Sequence, residues 1–468
     1  MVLGSKKSLA SRPPEAWEPL LRLARFATQP LERFLRIEAA SGIVLIAAAA
    51  LAFAWANTPW AELYSAIWSY PLGIQIGATT YERPLVWFVN DGLMTVFFFV
   101  AGMEIRRELH DGELSTRRRA MLPLVAALGG MVVPALVYLS IADGPSTRSG
   151  WGVPMATDIA FALGVFALLG KRVPPSLRLL LLTLAVVDDL GAIIVIALFY
   201  SSGIAFGGLG VAAVGVGGIF LLRWLGVRRH LAYIAPALVV WVGIYAAGIH
   251  PTIAGVIVGL LTPVRAWLGT KGARVDVDHE FRHLAALGDE QSASHERAEA
   301  LRRIDLLRRE VISPAEALIE KLHPWVAFGI MPIFALANAG VALDGNTLEP
   351  TSTMVAIGIG LGLVLGKPLG ILLAAGAAIR FGVAALPRGL GIRHLVALGI
   401  VAGVGFTMAL FVAQLAFEGS PLLGAAKVGV LGASAVAAVV GIAVGLVLLP
   451  KQEIHESVDT ADEAECSD

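Results

Sequence analysis

A single cysteine, Cys466, stands in 468 residues, third from the C-terminal end. No intrachain disulfide and no cysteine-based metal site can form. Charge is scarce too: Asp, Glu, Lys and Arg make up 15% of the chain, against about 25% in soluble globular proteins. The 36 basic and 36 acidic residues cancel, which leaves no electrostatic footprint for a nucleic-acid partner. HExxH, Walker A and GxGxxG motifs are all missing, so zinc hydrolysis, P-loop chemistry and dinucleotide binding lack their usual signatures. Apolar residues fill the chain instead, at 57%. With the 51 glycines the share reaches about 68%, against about 45–50% for a soluble fold. Disorder needs the opposite composition. The expected fold class is an all-α polytopic membrane protein.

Residues 1–36 carry seven Lys/Arg and no apolar run of signal-peptide length, so they read as a cytoplasmic N-terminal leader. Apolar stretches able to cross about 30 Å of hydrocarbon follow at 37–56, 84–105, 120–142, 152–169, 176–200, 204–225, 230–248, 249–264, 324–342, 352–379, 394–416 and 421–449. These are twelve expected transmembrane helices in a domain spanning 37–449. Basic residues gather in alternate loops, at 106–119, 170–178, 223–229, 265–323 and 380–393. With the leader and Lys451, 32 of the 36 basic residues fall on one side. The positive-inside rule makes that side cytoplasmic and places both termini there. Loop 265–323 mixes ten basic with eleven acidic residues, and 296–310 within it reads as a surface helix with i,i+4 charge pairs. An external stretch at about 72–83 alternates like a β-hairpin with a Gly-Ala turn. The acidic tail 450–468 has the composition of a disordered segment.

Seven ionisable residues interrupt the apolar runs: Asp91, Glu104, Asp158, Asp188, Asp189, Lys367 and Lys427. An ionised group at the bilayer centre costs a few kcal/mol on insertion scales (~2.5–3.5), so each is a functional candidate. Asp188 and Asp189, in LAVVDDLGAIIVI, sit near the middle of their run. Adjacent helix positions point about 100° apart, so both can border one polar cavity. Two carboxylates so close repel each other, and the pair calls for protons or a hard cation that prefers oxygen ligands. Asp158 and Thr157 follow Gly152 and Pro154, which break the helical reading. They either line an ion path or cap a half-helix. A second glycine-rich interruption lies at 399–407, and paired interruptions in the two halves point to a transporter site, although glycines also serve plain helix packing. Lys367 is too deep to snorkel and needs a buried carboxylate or a negative helix end beside it. Lys427, near the outer face, reads as a snorkelled lysine. Glu104, which ends its run beside Arg106, Arg107 and Glu108, reads as a solvated rim charge or a functional one; Asp91, about one-third of the way into its run, reads as structural or functional; and His250, at an outer turn, reads as a satisfied histidine or a pH sensor.

The motifs NDGLM, MEIRREL, ATDIAFALG, VVDDLGAI, HPTIAGVIVG, LHPW, ANAGV, GKPLGI and GFTMALF occur in this order across residues 35–450. Together they resemble the NhaA-type bacterial sodium/proton antiporters, an established example of inverted-repeat architecture. The resemblance implies twelve helices, the fourth and eleventh unwound and crossing near mid-membrane. It implies that Asp188 and Asp189 bind sodium, lithium and protons, that Thr157 and Asp158 form the unwound segment beside them, and that Lys367 pairs with an Asp or carries a proton. It also implies that Glu104, Arg107 and Glu320 lie at a cytoplasmic mouth linked to pH activation, and that the hairpin makes a homodimer contact. The expected function is electrogenic Na+/H+ antiport in the bacterial inner membrane, with no cofactor. The long leader, the insertion within 265–323 and the acidic tail depart from the family pattern. Two other readings compete. An intramembrane aspartyl protease lacks its GxGD motif, and GASA at 432–435 has no partner histidine for serine chemistry. A cation-coupled solute symporter is the remaining transporter reading.

Overall fold

The computed structural model describes residues 38–450 apart from 77–78, 202, 204, 267–281, 284–293, 343–348 and 388. The leader, the tail from 451 and the Gly-Ala turn lie outside the described residues. Helix α1 (Glu38–Ala56) turns by 114° into α2 (Ala61–Ser69). Strands β1 (Pro71–Ile76) and β2 (Thr79–Pro84) pair antiparallel, from Pro71↔Pro84 to Ile76↔Thr79. Helices α3 (Leu85–His110) and α4 (Arg117–Ile141) come next. A segment in two pieces follows, a 3-10 helix at Ser149–Met155 and then α5 (Ile159–Leu169). After it run α6 (Pro175–Phe199), α7 (Phe206–Trp224), α8 (Ile234–Ala246) and α9 (Thr252–Leu261). The charged loop contains α10 (Ser294–Val311). The chain continues through α11 (Pro314–Trp325), α12 (Met331–Asn338), α13 (Pro350–Arg380), α14 (Ile392–Ala402), α15 (Phe406–Ala416) and α16 (Leu422–Leu448).

Among the described residues, six helices are long and apolar enough to cross a membrane, and up to nine segments do if each bent pair is one span. Helix α6, at 25 residues, is about 37 Å long and starts on Pro175, whose missing N–H costs nothing at a first helical position. Two bent pairs, the 3-10 helix with α5 and α14 with α15, each turn by 46° at their break. Prolines shape other helices. The π-helical turns Val326–Ile330 and Gly362–Gly366 each end two residues before a proline, Pro332 and Pro368. Proline supplies no N–H and crowds the carbonyl four residues back, and a wider turn accommodates both effects. A third π turn, Phe88–Leu93, carries Asn90 and Asp91.

Close packing replaces the hydrophobic effect where helices meet in lipid. Helices α4 and α13 touch backbone to backbone: a Cβ on Gly129 would strike the Gly370 carbonyl, and one on Gly370 would strike that of Gly129. Phe411 of α15 sits 5.3 Å from Phe98 of α3 and 6.2 Å from Phe334 of α12, ring centre to ring centre. The hairpin base is tied to α8 by Arg83, whose Nη2 donates to the Tyr245 hydroxyl at 2.6 Å. One boundary departs from the sequence reading. The run expected to begin at 324 is preceded by α11, which starts at Pro314 with Ser313 Oγ accepting the Glu316 N–H at 3.2 Å. A serine N-cap followed by proline starts a helix firmly, but Glu316, Glu320 and Lys321 make the stretch look like loop.

Candidate functional site

The two interrupted segments meet at their breaks. After the 3-10 helix, Ala156 and Asp158 are extended, with ψ of 147° and 103°. Between α14 and α15 lie Gly403, Val404 and Gly405. The Asp158 N–H donates to the Val404 carbonyl at 2.8 Å. The Asp158 side chain then serves both half-helices. Its Oδ1 accepts the Phe161 N–H of α5 at 2.9 Å. Its Oδ2 accepts the Thr407 N–H of α15 at 3.0 Å and a short bond from the Thr407 hydroxyl. A helix start leaves N–H groups unpaired and a positive dipole end. One fully buried carboxylate answers two such ends. Ser434 Oγ of α16 takes a further one, the Phe406 N–H, at 3.0 Å.

The carbonyl ends of the breaks face a cation and a hydroxyl. Lys367, fully buried on α13, donates a short bond to the Met155 carbonyl that closes the 3-10 helix. A cation is favoured at such an end. The same Nζ lies 3.0 Å from Asp188 Oδ2. Thr157 Oγ1 donates to that oxygen at 2.7 Å and lies 3.4 Å from the Ala402 carbonyl of α14. Asp188 and Asp189 are both buried on α6, and each has an Oδ1 without a hydrogen-bond partner. Unpaired buried acceptors are rare and costly. Two carboxylate oxygens on adjacent residues form the donor set that a hard cation or protons satisfy.

The structure thus brings together Asp188, Asp189, Thr157, Lys367 and Asp158. Glu104, half-buried on α3, lies within electrostatic reach of Asp189 and Arg107. Glu320 is exposed on α11 and stands apart from the cluster. His250 Nδ1 lies 3.4 Å from Asp91 Oδ1, so two residues that read as isolated are neighbours. Sequence reasoning missed Glu108, which is buried and accepts the Glu113 N–H at 2.8 Å and the Thr183 hydroxyl of α6 at 3.3 Å. Its position in MEIRREL looks like a solvated rim. It also missed the reciprocal Asn90–Asn338 amide pair, 2.8 Å at its shorter bond, because neutral amides leave no charge signal in an apolar run.

Residues 32–445 match the family described as Na+/H+ antiporter 1. The chain is 60% identical over 455 residues to "Na(+)/H(+) antiporter NhaA 2" of Myxococcus xanthus, covering 97% of both chains. It is 51% identical over 463 residues to the protein of the same name from Sorangium cellulosum, covering 98% of both. The structure of the sodium proton antiporter MjNhaP1 from Methanocaldococcus jannaschii at pH 8 is similar at a TM-score of 0.49 and 12% identity, over 91% of this chain and 99% of that one. With its family match over most of its length and the Myxococcus xanthus and Sorangium cellulosum relatives, the chain belongs to the NhaA-type sodium/proton antiporters.

Proposed function

We propose that the chain exchanges sodium or lithium for protons across the bacterial inner membrane, by alternating access at the Asp188–Asp189 pair. The observation that carries this reading is the pair of buried, unpartnered Oδ1 atoms on adjacent residues, beside a lysine and a threonine that hold the other Asp188 oxygen. Sodium and protons compete for the same oxygens. Thr157 and Lys367 orient Asp188, while Asp158 holds the two breaks together and leaves Asp188 and Asp189 to take the ion. The reading includes twelve spans, with both termini cytoplasmic and the leader, the 265–323 loop and the tail on that side. It also includes a homodimer through the β1–β2 hairpin, and pH regulation through Glu104, Arg107, Glu320 and His250.

Two protons carried inward for one sodium carried outward move one net positive charge per cycle. A potential of 100 mV contributes about 2.3 kcal/mol per charge. At about 1.4 kcal/mol per tenfold, that sustains a sodium gradient of roughly fifty-fold without a pH gradient. The arithmetic is unchanged if Lys367 carries one of the protons. In proteoliposomes reporting internal pH, a sodium jump is expected to drive proton movement in the opposite direction. An inside-negative potassium diffusion potential is expected to accelerate sodium efflux; efflux indifferent to the potential means one-for-one exchange and removes the charge-coupled mechanism.

The apparent sodium KM is expected to rise as pH falls. A carboxylate holds a proton or a cation, so each ligand weakens the other reciprocally. Each proton displaced by sodium adds up to about tenfold per pH unit in the proton-bound range. A KM that stays flat throughout the active range excludes shared oxygens.

A further inference from the structure

The 3-10 half of the first interrupted segment is a poor helix by itself. Its seven residues, SGWGVPM, include two glycines and a proline, and 3-10 runs beyond three or four residues are uncommon. Its support comes from outside. Tyr200, the residue after α6, donates its hydroxyl to the Ser149 carbonyl at 2.7 Å and accepts the Gly152 N–H at 3.3 Å. Beside it, Phe199 meets the Trp151 ring edge-on, 5.1 Å between centres. A Cβ on Gly152 would come within 2.8 Å of the Tyr200 oxygen, so the bare glycine is what admits the phenol to the backbone. At the other end of the strap, Thr157 donates to Asp188. Both anchors therefore belong to one helix: Asp188 in α6 and Tyr200 at its end.

The lengths agree. Twelve residues of α-helix from Asp188 to Tyr200 rise about 18 Å. From Ser149 to Thr157, six 3-10 steps of about 2.0 Å and two extended steps of about 3.3 Å give about 19 Å. Eight α-helical steps would give only about 12 Å and leave one anchor out of reach. The 3-10 form is what lets this strap touch both ends of the stretch.

We infer that Tyr200 is a positioning residue for the ion site: it holds the strap at full length and so sets Thr157 Oγ1 on Asp188. The inference rests on the proposed role of Asp188 and Thr157. Full-length protein in proteoliposomes tests it through the sodium KM and kcat of four variants. Tyr200→Phe is expected to raise KM on the order of tenfold, the scale of one lost buried hydrogen bond, with kcat changed by less than about twofold. Gly152→Ala, which keeps the phenol but pushes it away, is expected to do the same and serves if Tyr200→Phe inserts poorly. In a Thr157→Val background, Tyr200→Phe is expected to add nothing, because residues acting through one contact are not additive. Tyr64→Phe removes a comparable bond outside the strap, from the α2 hydroxyl to the Leu336 carbonyl at 2.8 Å, and is expected to leave KM within about twofold. An unchanged KM in Tyr200→Phe overturns the inference. So does a tenfold rise that persists in the Thr157→Val background, or an equal rise in Tyr64→Phe, since either marks general loosening. A Thr157→Val protein with wild-type KM instead removes the underlying role of Thr157, and the inference with it.

Discussion

Asp189→Asn is expected to reduce sodium-driven proton movement in proteoliposomes to the level of empty vesicles while leaving the protein as heat-resistant as the unaltered chain, or more so. The side chain is buried and its Oδ1 has no partner. A neutral amide of the same shape removes a buried charge whose oxygen is unpaired, and an unpaired buried group costs about 1–3 kcal/mol when neutral and more when charged. It also ends the repulsion between neighbouring carboxylates. Transport is lost because the amide offers one oxygen, no formal charge and no titratable proton. Asp188→Asn is expected to be equally inactive but less stable, since Lys367 then loses its buried counter-charge. Detergent melting curves beside transport assays separate the two. Near-normal exchange by either variant removes that carboxylate from the mechanism, and a stability loss in Asp189→Asn equal to that in Asp188→Asn contradicts the unequal partnering.

Lys367→Ala is expected to cost about 3–5 kcal/mol of stability together with most transport, the range for breaking one side of a buried ion pair. The ammonium is fully buried and touches two acceptors, Asp188 Oδ2 and the Met155 carbonyl. Its removal uncaps the 3-10 helix and strands a carboxylate. A double variant, Lys367→Ala with Asp188→Ala, is expected to recover part of the lost melting temperature, because it removes the stranded charge as well. A snorkelled lysine predicts the reverse pattern: little loss in the single variant and nothing to recover in the double.

Much of the site was legible because charge is conspicuous in apolar runs. Asp188, Asp189 and Lys367 stand out against their neighbours, and Pro154 with Gly152 marks the first break. Loop charge alternation supplied the expectation for the direction of the segments, which rests on the positive-inside rule. The partners were not legible. Thr407 is 249 residues from Asp158, and nothing local says that one carboxylate will meet both helix ends. The cap reading of Asp158 was visible for α5, since Asp precedes an apolar run, but not for α15. Tyr200 sits at the end of an apolar helix, where tyrosine is commonplace, and its meaning depends on a strap 50 residues earlier. The π turns also escaped notice, because proline in an apolar run announces a disturbance without its geometry.

The shared cap on Asp158 has a consequence for biosynthesis. At about 5–20 residues per second, the 249 residues separating Asp158 from Thr407 take about 12–50 s to make. Throughout that interval the nascent first half has an acidic side chain in the bilayer with α5 on one oxygen and no partner yet translated for the other. The Val404 carbonyl that receives its N–H is equally absent. A ribosome-bound half is thus an unfinished object with an open polar seam. Closure needs α15, so any chain that stops short of it keeps the seam open.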